Sequence, residues 1–288
     1  MSKLFEALQR LGQAPDAIET ELLSETRVVL QPLRPVRNEP STGDVARGIK
    51  QSQAPSDLQH VAAVDGDIPV ESRITFQTDP HGPGADRFRF LRMRLRQLKQ
   101  AQNVKTLLVT SPLPRDGKTT VVLNLATALA EDGKRNVLVM DADFHRSSLC
   151  NCLSLEPKAG LAECLEHGAP PLSALQYIQP LGWYFLRAGQ AHGNPRELLH
   201  SNAFPAALQF LSPHFDWIVL DSAPILTLSD TVALRPQADA SLLVVRAGST
   251  PRDAIHTAIE RLGPKHVAAI VLNGAEDLDR VYSSYYTP

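Results

Sequence analysis

Between Val104 and Arg146 the chain alternates apolar and polar runs in an order that few folds accommodate. Val104, Leu107, Leu108 and Val109 read as a buried strand. A loop follows, Ser111-Pro-Leu-Pro-Arg-Asp-Gly117-Lys118-Thr119-Thr120. Val122, Leu125, Ala126 and Leu129 then repeat at helical spacing up to Gly133, and a second strand, Asn136 to Met140, ends on Asp141-Ala-Asp143. Strand, glycine-bearing loop, helix and acid-tipped strand are the parts of a P-loop nucleotide site.

The residue types suit that chemistry. At Gly117 the backbone must pass close to a phosphate, which a side chain would obstruct. The Lys118 ammonium reaches β- and γ-phosphates, and the Thr119 hydroxyl is suited to Mg²⁺. The amides of Lys118, Thr119 and Thr120 open a helix and point at an anion. Pro114, Arg115 and Asp116 complete the expected ATP cradle. Position 112 holds proline where the full pattern has glycine, so only the second half of the motif matches. The flanking strand, helix and Asp-x-Asp favour nucleotide binding over an ordinary turn before a helix.

Downstream, Phe215 to Leu220 form an apolar run that ends on Asp221, the position of a metal-side acid in such a fold. Further strands are expected at Trp183–Leu186, 241–246 and 267–272, with helices after the Asn194-Pro195 cap and over 252–262. This alternation predicts an α/β fold, with a mostly parallel sheet covered by helices on both faces. A helix from about Ala85 carries Asp86, Arg89 and Arg92 every third residue, a spacing suited to a protein–protein contact.

The segment before it differs in character. Residues 3–12 can form a short amphipathic helix, but proline recurs from Pro15 to Pro83 and Phe76 is the sole aromatic residue over 12–83. That composition predicts a largely disordered linker over 1–84, with a short strand over 68–76 as the exception. The folded domain is expected at 85–288. A net charge of −2 gives no sign of nucleic-acid binding. Three cysteines fit a reducing compartment, and Cys150, Cys152 and Cys164 read as small hydrophobes rather than a zinc set with His167. With no apolar leader or membrane-spanning run, the chain is expected to be cytoplasmic and to meet a membrane through a partner. Tyr282, Tyr285 and Tyr286 cluster at the C-terminus, a candidate phosphorylation tail.

Taken together, these features resemble the bacterial tyrosine kinases (BY-kinases) of capsule and exopolysaccharide systems. The family's Walker A motif falls in Ser111 to Thr120, its Walker A′ in Val137 to Asp143 and its Walker B in Ile218 to Asp221. Asn194 to Leu199 matches its Asn-Pro-x-Glu-Leu-Leu element. Asp86, Arg89 and Arg92 match its oligomerisation motif, with aspartate in place of glutamate. The resemblance implies catalysis by Lys118, Asp141, Asp143 and Asp221, and Mg²⁺ held by Thr119, Asp143 and Asp221. It also implies tyrosine acceptors in the tail, a homo-oligomeric ring and a membrane adaptor of the chain-length-determinant type. The chain departs from the family at Arg115, where glycine is usual, and at His145 and Ser147, where arginine and proline are common. A MinD/ParA-like switch ATPase and a non-catalytic ATP-binding regulator stand as the alternatives.

Overall fold

The computed structural model describes residues 25–30, 56–65 and 68–275. The helix expected at 3–12 and the tyrosine cluster at 282–286 lie outside the described residues. Among the described residues nine strands form one sheet. They are β1 (Glu25–Leu30), β2 (Ala62–Val64), β3 (Thr106–Thr110), β4 (Val137–Asp141), β5 (Gln176–Ile178), β6 (Trp183–Leu186), β7 (Trp217–Asp221), β8 (Ala240–Arg246) and β9 (Val267–Ala275). Their order across the sheet is β1-β9-β8-β3-β7-β4-β6-β5-β2. The span from β9 to β6 is parallel throughout. Antiparallel pairing enters at β1 with β9 and at β5 with β6.

Nine helices belong to the described residues: α1 (Thr75–Thr78), α2 (Pro83–Gln102), α3 (Lys118–Ala130), α4 (Ser148–Cys152), α5 (Leu161–His167), α6 (Pro195–His200), α7 (Ala203–Leu211), α8 (Asp230–Leu234) and α9 (Arg252–Leu262). The strand sequences explain the layering. Side chains alternate between faces, so Leu107, Val109, Val139, Val219, Leu242 and Val244 join one core with α2 and α3. Leu108, Leu138, Ile218, Leu220, Leu243 and Val245 join the other, with α6, α7 and α9. Each central strand is apolar on both faces, as a sheet buried on both sides requires. No helix among the described residues is long and apolar enough to cross a membrane.

The linker expected through residue 84 is shorter than its composition suggests. Residues 56–65 and 68–78 belong to the folded unit. Leu58 is buried in one core and Ile74 in the other, and β2 pairs with β5 at the sheet's edge. The strand expected over 68–76 is instead a 3-10 turn, Val70–Ser72, followed by α1. Asn124, buried in α3, fastens this segment. Its Oδ1 accepts from the Thr75 amide and hydroxyl, both at 2.8 Å, and its Nδ2 donates to the Arg73 and Thr120 carbonyls at 2.9 Å. A few well-placed contacts order a stretch that has few apolar residues.

Truncation of Ile74 should therefore behave as core truncation. Ile74→Ala is expected to cost about 2–4 kcal/mol in urea unfolding. Val70→Ala, on an exposed neighbour, should stay within about 0.5 kcal/mol. Equal, small effects would return the segment to linker status.

Candidate nucleotide site

Strand order assembles the site. Chain order runs β3, α3, β4, yet β7 lies between β3 and β4 in the sheet. The loop leaving β3 thus sits beside the ends of β7 and β4, and Asp141 and Asp221 fall opposite each other in register. The Ala142 amide donates to the Asp221 carbonyl at 2.8 Å, which prolongs the pairing one residue past the sheet. Ligands in such sheets meet the carboxyl ends of the strands.

The loop is braced from within. Asp116 is buried, and its Oδ2 accepts the Leu113 amide at 2.9 Å while its Oδ1 accepts the Thr250 hydroxyl at 2.7 Å. Its carbonyl accepts from Asn273 Nδ2 at 3.0 Å. Burial pushes the Asp116 carboxyl up, while Thr250 and the Leu113 amide pull it down. Asp116, expected in the ATP cradle, spends one carboxylate oxygen on the loop itself and the other on Thr250, outside it. Gly117 caps α3 at φ 92°, and a Cβ there would stand 1.8 Å from Asn273 Nδ2. Arg115, at the family's glycine position, also has a left-handed backbone, φ 70°. That conformation costs a non-glycine residue about 1–2 kcal/mol. Its side chain is exposed and its carbonyl accepts from Arg246 Nη1 at 3.4 Å. Arginine keeps the glycine's turn and does not block the loop.

The structure brings Lys118, Asp141, Asp143 and Asp221 together, all nearly out of contact with solvent. The Lys118 ammonium pairs with Asp221 Oδ1. Asp221 Oδ2 is buried and has no hydrogen-bond partner among the described residues. Asp141 accepts the Asp143 amide at 3.1 Å and the Ser147 hydroxyl at 2.8 Å. Asp143 Oδ1 accepts the Arg146 amide at 3.1 Å. Burial, and then the neighbouring Asp221 charge, push the Asp141 carboxyl up to about 8 against the pull of Lys118 and two hydrogen bonds. Burial raises Asp221 as well, opposed by Lys118. Thr119 bonds Ser148 Oγ at 2.8 Å. The site is a cleft of about 300 Å³ that includes Pro114, Gly117, Thr120, Asp143 and His145.

Mg²⁺ fits this centre. Three buried carboxylates stand near one Lys118 ammonium, which among the described residues pairs with Asp221 alone, Asp221 carries an orphaned buried oxygen, and Thr119, Asp143 and Asp221 are hard oxygen donors of the kind Mg²⁺ takes.

Sequence reasoning missed Asn273, Thr250 and Asp230. His145 Nε2 lies 2.8 Å from Asp230 Oδ2, and Arg196 Nε lies 3.5 Å from Asp230 Oδ1. The Walker A′ loop is thereby joined to the Asn194 element, where Asn194 Oδ1 caps α6 through the Arg196 amide at 3.1 Å. None of the three carries a local signal, since each acts through a partner distant in sequence. Asp86, Arg89 and Arg92 lie elsewhere, on α2. Arg89 pairs with Asp86 at 2.8 Å, and Arg92 donates to the Ala128 carbonyl near the far end of α3. The three cysteines are free thiols, Cys164 buried and the other two half-buried. No described metal-type cluster includes them.

The raised Asp141 has a thermodynamic consequence. A carboxyl whose pKa climbs on folding stabilises the native state fully below its unfolded pKa, and that contribution is lost as pH rises towards 8. Asp141→Asn should therefore raise the melting temperature of the nucleotide-free protein at pH 8 and flatten its decline between pH 4 and 8. Scanning calorimetry at several pH values checks this. An unchanged slope would show that Asp141 does not titrate in this window.

A family model for the cellulose biosynthesis protein BcsQ matches residues 115–283, more than half of the chain. ExoP of Rhizobium meliloti, a succinoglycan biosynthesis transport protein, is 30% identical over 251 residues, covering 79% of this chain. The chain spans only 31% of ExoP. It spans 92% of the Bacillus subtilis tyrosine-protein kinase YwqD, which is 26% identical over 219 residues and 75% of this chain. Among solved structures, the BceF tyrosine kinase domain superposes with a TM-score of 0.63 at 26% identity, covering 77% of this chain and 90% of that domain. The chain matches the BcsQ family model and is a member of the bacterial tyrosine kinase family.

Proposed function

We propose that the chain is an ATP-dependent protein-tyrosine autokinase of an exopolysaccharide or capsule system. The observation that carries this reading is the convergence of Lys118, Asp141, Asp143 and Asp221 at one sheet edge, beside a braced glycine loop. In the proposed cycle Lys118 leaves Asp221 for the phosphates of ATP, and the freed Asp221, with Thr119 and Asp143, faces the cation. Mg²⁺ held there would supply charge neutralisation at the phosphates. A tyrosine oxygen forms a bond to the γ-phosphorus as the bond to the β–γ bridging oxygen breaks, and ADP leaves. The tyrosine, with a reference pKa of about 10, needs a proton acceptor. Asp143 lines the cleft and takes that role, while Asp141 fixes the Asp143 backbone and Ser147.

Tyr282, Tyr285 and Tyr286 are the proposed acceptors. They follow β9, whose Asn273 already touches the loop at Asp116. Transfer in trans within a ring built on Asp86, Arg89 and Arg92 is part of this reading. So are ATP with Mg²⁺ as the working pair, and recruitment of a cytoplasmic protein to the inner membrane face by an adaptor. The name of ExoP, a succinoglycan biosynthesis transport protein, supports the polysaccharide setting, and the names of YwqD and CpsD as tyrosine-protein kinases support the activity.

Mass spectrometry of the full chain after Mg-ATP tests the proposal, with and without the cytoplasmic tail of a membrane adaptor. Phosphate is expected on the 282–286 tyrosines of the wild type, and Lys118→Ala should lower it by at least about a hundredfold, the loss expected for a main electrostatic group. ATP turnover with unmodified tyrosines in both conditions would favour a switch ATPase instead.

A further inference from the structure

Away from the nucleotide cleft, α5 ends on Glu166 and His167, and the loop before α6 carries His192. One ligand-capable atom from each lies within 4.8 Å of the other two. The carboxylate is held in a particular way. Glu166 Oε1 accepts two backbone amides, His192 at 2.9 Å and Gly193 at 3.0 Å. Glu166 Oε2 is buried and has no hydrogen-bond partner among the described residues, and His167 Nε2 stands 3.9 Å from it, beyond hydrogen-bond range. The same loop is tied to α5 a second time, where Glu163 Oε1 accepts the Gln190 amide at 3.0 Å. Both anchors use backbone amides, so the loop's position does not depend on the imidazoles.

We infer that Glu166, His167 and His192 form a binding site for a borderline divalent transition-metal ion of the Zn²⁺ class. Two imidazoles and one carboxylate are a common donor set for Zn²⁺, with remaining positions open to water. The amides on Oε1 orient the carboxylate and leave Oε2 for the ion, in the way second-layer contacts fix metal ligands. His167 closes a helix, where the backbone dipole favours positive charge. Metal–ligand distances of about 2.0–2.1 Å place tetrahedral donors about 3.4 Å apart. The site must contract by roughly 1 Å, which two exposed imidazoles reach by rotamer adjustment. Bound metal would clamp α5 to the loop that leads into Asn194 and Arg196.

Metal titration of the full chain tests this. Chelator-stripped protein, held in excess Mg²⁺ to occupy the acidic nucleotide centre, is titrated with Co²⁺ and then Zn²⁺. Co²⁺ should give visible ligand-field bands without a thiolate charge-transfer band, and Zn²⁺ should abolish them. His192→Ala and His167→Ala should each weaken binding by about tenfold or more. Both should also cancel the Zn²⁺-induced rise in melting temperature seen in the wild type. Asp221→Asn and Cys152→Ser should leave the signal intact. The melting temperatures of the metal-free His variants, expected to match wild type, separate ligand loss from misfolding. No Co²⁺ bands, bands with thiolate character, or bands that persist in both His variants would overturn the site and leave Glu166, His167 and His192 as neighbours without a metal.

Discussion

The Lys118–Asp221 ion pair is the contact on which the rest of the site depends. A buried carboxylate without a partner is costly, and here Asp141 and Asp143 are buried beside the same pair. The cluster is tolerable because Asp141 takes up a proton more readily than an ordinary carboxyl. A centre of this kind is unfavourable when empty and is relieved by a divalent cation and an anionic nucleotide together. In the proposed cycle Lys118 would exchange one anionic partner for another, and the oxygens it leaves would have a cation to face.

Topology makes this arrangement possible. Placing β7 between β3 and β4 sets Lys118, Asp221 and Asp141 side by side, although they are far apart in sequence. The parallel strands supply the register, and their apolar faces on both sides hold it. Around the loop, Asn273 and Thr250 fix Asp116 from strands and turns on the opposite flank. The strain at Arg115 is borne by that bracing, and the loop keeps a glycine-like path without the glycine.

Much of this was legible in the residues. Gly117-Lys118-Thr119, Asp141-x-Asp143 and Asp221 stand at the ends of apolar runs, so their chemistry and their place in a parallel sheet are written locally. Helix Arg252–Leu262 and strand Trp183–Leu186 have the expected limits. What escaped was non-local. Ile74 and Leu58 sit among prolines and polar residues, and their order comes from distant partners: Asn124 in another helix, and the pairing of β2 with β5. Edge strands β1 and β2, and β5 next to the edge, lack a strong pattern of their own and are defined by their neighbours. The His145–Asp230–Arg196 contact joins three segments that sequence spacing does not connect.

The measurement closest to the central claim is the proton balance of Mg-ATP binding, obtained by calorimetry at pH 7 in buffers of different ionisation enthalpy. With Asp141 near 8, the empty centre is protonated at that pH, and an arriving cation should expel the proton. The account predicts net proton release in the wild type that Asp141→Asn removes. Binding with no proton exchange, or with release unchanged in Asp141→Asn, would contradict it.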